Sequence, residues 1–293
     1  MKHLLAPAAI SLAVLASPAA ALDFGDTFRV TGDLAVGYDS YVNAGTMRWN
    51  TALGVPLSFG GVEVEIGLRN MGLTKTDGTF VFTNPRRGLY ASIRGEHWGL
   101  HVGMVKHATD AYLPDLDLYR SPFGTIAGPG NVSGPFGPML RYEKWFIPSS
   151  DVVIRAEVKY KGFLLSYSRS DKTPYSSVYA SYDFDVAKVF AGADYSAGIL
   201  RSSYFGAEGS IGKFDLSGMV ITSLGTPGTN LSVSYNVNDK FSIGAVSKSV
   251  SGGVHYWSLN ADYQITDMAK ASVGYTKVGS FNFTSAQISV DLN

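Results

Sequence analysis

Residues 27–38 read Thr27-Phe28-Arg29-Val30-Thr31-Gly32-Asp33-Leu34-Ala35-Val36-Gly37-Tyr38. The even positions carry Phe28, Val30, Leu34, Val36 and Tyr38, and the odd positions carry Thr27, Arg29, Thr31 and Asp33. Successive side chains of a strand point to opposite faces, so this segment has one apolar wall and one polar wall. The same two columns return at Met47, Trp49, Leu53 and Val55 against Thr46, Arg48 and Asn50. They return again at Leu231, Val233, Tyr235 and Val237 against Asn230, Ser232, Ser234 and Asn236. In a soluble sheet the apolar wall would line a core and the polar wall would meet water. Here both walls persist along nearly the whole chain, and the polar one mixes charges with Gly and Ser. The pattern predicts an all-β transmembrane barrel, apolar outward to lipid and polar inward to a wet lumen.

The N-terminus agrees with that location. Lys2 and His3 precede an apolar run from Leu4 to Leu15, and Pro18 and Ala19-Ala20-Ala21 follow. A charged start, an apolar middle and a small-residue end describe a secretory signal peptide over residues 1–21, cut after Ala21, with the barrel over 22–293. The run is too short for an anchor, which needs roughly 20 apolar residues. No second stretch of this kind follows, which excludes a helical membrane protein. The chain has no cysteine, so an exported protein of this sequence relies on its hydrogen-bonded sheet rather than on disulfides. Lys+Arg and Asp+Glu are 24 each, and this neutral balance argues against a nucleic-acid partner.

Turn signals set the strand count. Tight turns are expected at Phe59-Gly60-Gly61, Gly95-Glu96-His97, Tyr160-Lys161-Gly162, Phe184-Asp185-Val186, Gly212-Lys213, Asn238-Asp239-Lys240 and Thr266-Asp267. Trp98, Phe163, Phe214 and Phe241 follow such turns, where an interfacial aromatic girdle belongs. Looser loops are expected near 39–45, 70–86, 107–150, 171–175, 196–202, 223–229, 249–254 and 278–281. Seven tight turns and eight loops give sixteen antiparallel strands with both termini on one side. Over 107–150 the alternation stops. This segment contains Leu, Phe, Ile, Tyr and Trp145, so it is too apolar for a solvated tail and is expected to pack against the lumen wall.

One hairpin carries a family resemblance. Residues 87–104, Arg87-Gly88-Leu89-Tyr90-Ala91-Ser92-Ile93-Arg94-Gly95-Glu96-His97-Trp98-Gly99-Leu100-His101-Val102-Gly103-Met104, resemble the hairpin of Gram-negative general porins just before their constriction loop. Asp110-Ala111-Tyr112 and the later Ile154-Arg155-Ala156-Glu157 with Gly162-Phe163 fall where such porins have comparable residues. The resemblance is firmest over 87–170 and architectural elsewhere. It implies a sixteen-stranded, homotrimeric diffusion pore in the outer membrane, bordered by lipid and lipopolysaccharide, whose third loop folds inward. Small hydrophilic solutes and ions would pass through it. The chain departs from the family at its end, Ile288-Ser289-Val290-Asp291-Leu292-Asn293, which lacks a terminal aromatic. It departs also at Arg86-Arg87, where a plain strand start is usual.

By alternation the lumen-facing basic residues are Arg29, Arg48, Arg69, Arg94, Arg155 and Lys159, with His101 among them, all on the first six strands. The loop offers Asp110, Asp115 and Asp117. These residues are the expected pore-lining set, because an acidic loop opposite a basic wall creates a transverse field that sets selectivity. Lumen carboxylates Asp33, Glu63, Glu65, Glu157, Asp183, Asp194, Glu208, Asp215 and Asp262 spread around the barrel, so the sign of ion preference is not readable. The lumen aromatics Tyr90, Tyr179, Phe190, Tyr204 and Tyr256 look scattered, which speaks against a dedicated sugar channel. His101 and His107 share a strand face by alternation but have no positioned nucleophile, so no catalytic residue is assigned. There is no Gly-rich phosphate loop, zinc spacing or His-Glu-x-x-His motif, so neither cofactor nor metal is expected. The competing readings are a substrate-specific channel, an outer-membrane barrel enzyme, and a secreted β-sandwich.

Overall fold

The computed structural model of the chain describes residues 27–40, 44–75, 86–113, 151–223, 225–250 and 254–292. The expected signal peptide lies outside them. In order the elements are β1 (Arg29–Asp39), β2 (Ala44–Phe59), β3 (Val62–Lys75), β4 (Arg86–Arg94), β5 (Trp98–Gly103), α1 (Ala108–Tyr112), β6 (Val153–Tyr160), β7 (Phe163–Ser170), β8 (Tyr175–Asp183), β9 (Ala187–Ser196), β10 (Ile199–Ile211), β11 (Phe214–Ser223), β12 (Thr226–Asn238), β13 (Phe241–Val250), β14 (Val254–Gln264), β15 (Ala269–Val278) and β16 (Phe281–Asp291). Each strand pairs antiparallel with its sequence neighbours, and β16 returns to β1 to close the barrel. The closing seam runs from Asp33 opposite Asp291 to Asp39 opposite Ser285. Closure leaves no sheet edge, which is what lets strands cross hydrocarbon. No helix among the described residues is long and apolar enough to cross a membrane.

The two walls are where alternation places them. Leu53, Val55 and Leu57 on β2, Leu89 on β4, Phe205 on β10 and Leu231 and Val233 on β12 are all exposed on the outside, with Leu89 at 72%. An apolar surface this continuous is compatible with lipid and not with water. Phe59, Trp98, Tyr160, Phe163, Phe184 and Phe214 are exposed at the tight-turn end, a girdle of rings at one rim. The inner wall is built from small and polar residues, among them Ala35, Ser166, Ser168, Ser177 and Ser272.

All seven tight turns form where the sequence signals them, and local chemistry explains several. Asn238 Oδ1 accepts the backbone N–H groups of Lys240 and Phe241, each at 2.9 Å. Thr266 Oγ1 accepts those of Met268 and Ala269 at 3.3 and 3.0 Å. Short polar side chains that bond their own backbone make such turns self-sufficient. One expected loop is tighter than anticipated. The 196–202 connection reduces to Ala197-Gly198, with φ of 53° and 76°, because two consecutive left-handed residues suit a two-residue hairpin. The extra residue appears inside β10, where the pairing with β9 shifts register between Leu200 and Ser202. The 223–229 loop shrinks likewise, since β11 runs to Ser223 and β12 starts at Thr226.

His107 is a correction. It does not continue β5 beside His101. The strand ends at Gly103, whose φ is 105° and whose space would not admit a Cβ, since one there would lie 2.2 Å from the Leu89 carbonyl oxygen. The chain then turns, and His107 stands at the N-terminal boundary of α1.

Candidate lumen site

The register of β1–β6 brings the expected basic residues together on the inner wall, and it interleaves them with carboxylates. Arg48 Nη2 lies 2.6 Å from Asp33 Oδ2. Glu65 gathers a second group. Tyr90 donates its hydroxyl to Glu65 Oε1 at 2.5 Å, while Arg94 and Arg29 approach Oε2 at 3.2 and 3.7 Å. Arg94 also reaches Glu63 at 3.6 Å, its directly opposite residue in the ladder. The Arg69 guanidinium sits 5.5 Å from the centre of the Tyr90 ring, an orientation that favours a cation over a π face.

Glu157 on β6 organises a third group. His101 Nε2, Arg155 Nε and Lys159 Nζ lie 3.5, 3.6 and 3.4 Å from its carboxylate. Its side chain is only 4% exposed, so these partners supply most of what water would have given. His101 Nδ1 lies 2.8 Å from Ser92 Oγ on β4. Arg155 also donates from Nη1 to the Lys106 carbonyl at 3.0 Å, tying the wall to the loop that follows β5.

That loop begins by turning inward. α1 lies against the inner faces of β7, β8 and β9. The His107 ring is 2.9 Å from Ser168 Oγ through Nδ1 and 3.1 Å from Ser170 Oγ through Nε2, and it meets Tyr175 edge-on. The backbone N–H groups of Ala108 and Thr109 donate to Ser168 and Ser177 Oγ at 2.9 and 3.3 Å. Thr109 Oγ1 donates to Asp194 Oδ1 at 2.7 Å, and Tyr204 donates to the other oxygen of Asp194 at 2.8 Å. Tyr112 donates to Glu157 and stacks on Tyr179, with ring centres 5.5 Å apart. Burial and the bond to Glu157 raise the Tyr112 hydroxyl well above its ordinary pKa, so it remains a donor across the working range of pH.

Three of the aromatics read as scattered are therefore neighbours. Tyr179, Phe190 and Tyr204 form one buried cluster with Ala108, Leu113, Met219 and Ile221. Gly192 lies opposite both Tyr179 and Tyr204, and a Cβ there would stand 3.2 Å from Thr109 Cγ2. A side chain at this position would crowd both α1 and the Val178 carbonyl.

The structure places Arg29, Arg48, Arg69, Arg94, His101 and Arg155 on the inner wall of β1–β6 and Asp110 within α1. Asp115 and Asp117 lie outside the described residues. Sequence reasoning did not single out Glu157, His107, Thr109, Tyr112 or Asp194 as a connected anchor. The i, i+2 alternation of sign in Arg155, Glu157 and Lys159 was the available signal for the first of these.

Removing the Asp194 carboxylate tests the anchor. Asp194→Ala leaves two buried hydroxyl donors without their acceptor and should lower stability by about 1–3 kcal/mol. The check is the urea midpoint of the refolded barrel together with its open-channel current noise. If neither changes, this carboxylate does not hold α1.

Solved structures with the same architecture exist. A triple mutant of the Rhodopseudomonas blastica porin superposes with a TM-score of 0.71 at 15% identity, covering 90% of this chain and 100% of that one. A porin refined at 1.8 Å gives 0.63 at 13% identity, covering 90% and 99%. A loop-deletion mutant of OmpT, an outer membrane protein of Vibrio cholerae, gives 0.61 at 14% identity, covering 90% and 99%. The chain is a sixteen-stranded barrel with the fold of these structures, two of which are porins. No protein-family model matches it, and no curated protein sequence does.

Proposed function

We propose that the chain is an outer-membrane diffusion channel through which small hydrophilic solutes and ions pass passively. The observation that carries this reading is the closed sixteen-stranded barrel with an apolar outside and a charged inside. A charged, polar lumen inside a lipid-facing apolar exterior is the architecture of a water-filled pore. In this reading residues 1–21 are removed on export and residues 22–293 form the barrel. Three copies assemble in the outer membrane of a Gram-negative bacterium, with lipid and lipopolysaccharide around them. The segment 107–150 narrows the lumen, and Arg29, Arg48, Arg69, Arg94, His101, Asp110, Asp115, Asp117 and Arg155 line the constriction.

Single-channel recording of the refolded protein in a planar bilayer tests the reading. Stepwise ohmic conductance in salt supports it; a folded barrel that passes no current overturns it. The charges have their own test. Neutralising Arg48 and Arg69 together should shift the reversal potential under a salt gradient toward cations, with about a twofold change in permeability ratio, because fixed charge in a narrow pore acts through little screening water. Losing Arg48 also leaves Asp33 bare, which adds to the same direction. Neutralising Asp115 and Asp117 should shift it toward anions. Two unmoved potentials would mean that these residues are merely solvated wall charges.

A barrel enzyme is the second reading, and one observation favours it. Ser92, His101 and Glu157 stand in the order of nucleophile, base and acid. The strands on both sides of Ser92 are paired into the sheet, so their backbone amides serve the ladder and are not gathered around an oxyanion. The channel reading is therefore the conclusion.

A further inference from the structure

The outer wall is apolar, but it changes character at one rim. Arg87 on β4, Arg169 on β7, His255 on β14 and Lys277 on β15 alternate in step with the exposed Leu89, Tyr167, Trp257 and Val273, so they face outward. Each stands one residue inside a strand end, and all four ends lie at the rim opposite the tight turns. Among the described residues no Asp or Glu faces outward from a strand. At the tight-turn rim the outward residues are rings instead, such as Phe59, Trp98 and Phe163. A cationic side chain at the edge of hydrocarbon must reach water or an anionic headgroup. Cations at one rim only match a bilayer in which one leaflet carries more negative charge than the other.

On β14–β16 the register builds these residues into a seat. Lys277 lies directly opposite Trp257 on one side and Asn282 on the other. His255 is two residues from Trp257 on the same strand face, which puts its Cβ about 7–8 Å from that of Lys277 along the diagonal. One step further from the rim, Tyr275 packs on Trp257 with ring centres 5.4 Å apart. Tyr275 also donates its hydroxyl to Asn282 Oδ1 at 2.9 Å. That bond orients the amide and leaves its Nδ2 hydrogens to donate. The connections beside the seat, Ser251-Gly252-Gly253 and Gly279-Ser280, contain no acidic residue. Towards the middle of the wall the same face continues in the exposed Leu259 and Val273.

The chemistry of these groups narrows the occupant. The Lys277 ammonium, the His255 ring and the Asn282 amide all offer N–H donors, and the first two can carry positive charge. A cation would meet no carboxylate here. A phosphate brings several acceptor oxygens and negative charge to a cluster of donors, and lysine is a common phosphate partner. Trp257 and Tyr275 are amphipathic rings of the kind that sit at headgroup depth, and Leu259 and Val273 offer an apolar strip for acyl chains. The match is a phosphate that carries a lipid. We propose that the outer face of β14–β16 at this rim seats the phosphorylated head of an outer-leaflet lipid, the lipid A moiety of lipopolysaccharide. The inference rests on the outer-membrane channel reading above and gives that barrel its orientation, with the rim opposite the tight turns in the anionic leaflet.

Purified lipid A and the same lipid with its phosphates removed are the probes, each titrated into the refolded barrel in detergent and counted by native mass spectrometry. The wild type should bind lipid A about tenfold more tightly than the dephosphorylated lipid, and added salt should shrink that preference. Lys277→Gln/His255→Gln should weaken lipid A binding by about tenfold, and Asn282→Ala by about threefold for one neutral donor. Lys270→Gln removes the same charge from the lumen face of the same strand and should leave binding unchanged. Heat-modifiable gel mobility confirms that each variant is folded. Equal binding of the two lipids by the wild type overturns the seat. So does a folded double variant that binds lipid A fully, or a Lys270→Gln variant that loses as much as the double variant. Full displacement of lipid A by an equal concentration of inorganic phosphate overturns the lipid assignment and leaves a simple anion site. None of these outcomes touches the channel reading, which falls only if the folded barrel carries no current in salt.

Discussion

Val233→Arg should destabilise the folded barrel by about 2–4 kcal/mol, whereas Ser234→Arg, one residue along, should be tolerated. The two positions differ only in the wall they serve. Val233 pairs with Leu216 and Ala245 on the outside, and Ser234 pairs with Asp215 and Gly244 on the inside. An arginine at the outer position must put its guanidinium into hydrocarbon or bend away from it. At the inner position it meets Asp215 and a polar lumen. The measurement is reversible unfolding in urea from lipid vesicles. Equal damage at both sites would mean that β12 does not face a membrane. The outside of this strand is a stringent place to ask, because Leu231 is 60% exposed two residues away.

Removing residues 113–134 should raise single-channel conductance by about twofold, because current through a water-filled pore follows its narrowest section. The support for this expectation is the described start of the segment. α1 is fastened to the inner wall at His107, Thr109 and Tyr112, and Leu113 is buried in the cluster that contains Tyr179 and Tyr204. The chain therefore enters the lumen before residue 113. The deletion leaves the anchors Ser168, Ser177 and Asp194 in place, so the barrel should still fold. An unchanged conductance in a folded variant would place the deleted segment away from the constriction.

These two expectations draw on different parts of the molecule's legibility. The Val233 test needs only alternation, which is local: each residue's face follows from its neighbours two positions away. The tight turns were legible for the same reason, since Asn238 and Thr266 satisfy backbone groups within three residues of themselves. Where the local signal was ambiguous the reading loosened. Ala197-Gly198 makes a two-residue turn that a Ser/Ala/Gly stretch does not announce, because alanine carries no sign that it will adopt a positive φ. His107 read as a strand residue because parity continues past Gly103, and the strand's end is set by how closely Gly103 approaches the Leu89 carbonyl.

The inner wall shows the limit most clearly. Alternation placed Arg29, Arg48, Arg69, Arg94, His101 and Arg155 on the lumen side, since facing in or out is a property of one strand. It could not say that Arg48 would sit on Asp33, that Arg29 and Arg94 would share Glu65, or that His101, Arg155 and Lys159 would converge on Glu157. Those contacts depend on the stagger between strands, and stagger is decided by closing all sixteen around one axis. Tyr179, Phe190 and Tyr204 looked scattered along the chain for the same reason. They meet because β8, β9 and β10 are adjacent and Gly192 leaves room between the rings. Period-two alternation and short-range turn chemistry were enough to read the class of fold, the strand order and the two walls. Which lumen groups touch, and where α1 is fastened, came only with the closed fold. Such contacts join residues from separate strands, and only the register of a closed sheet brings them within reach.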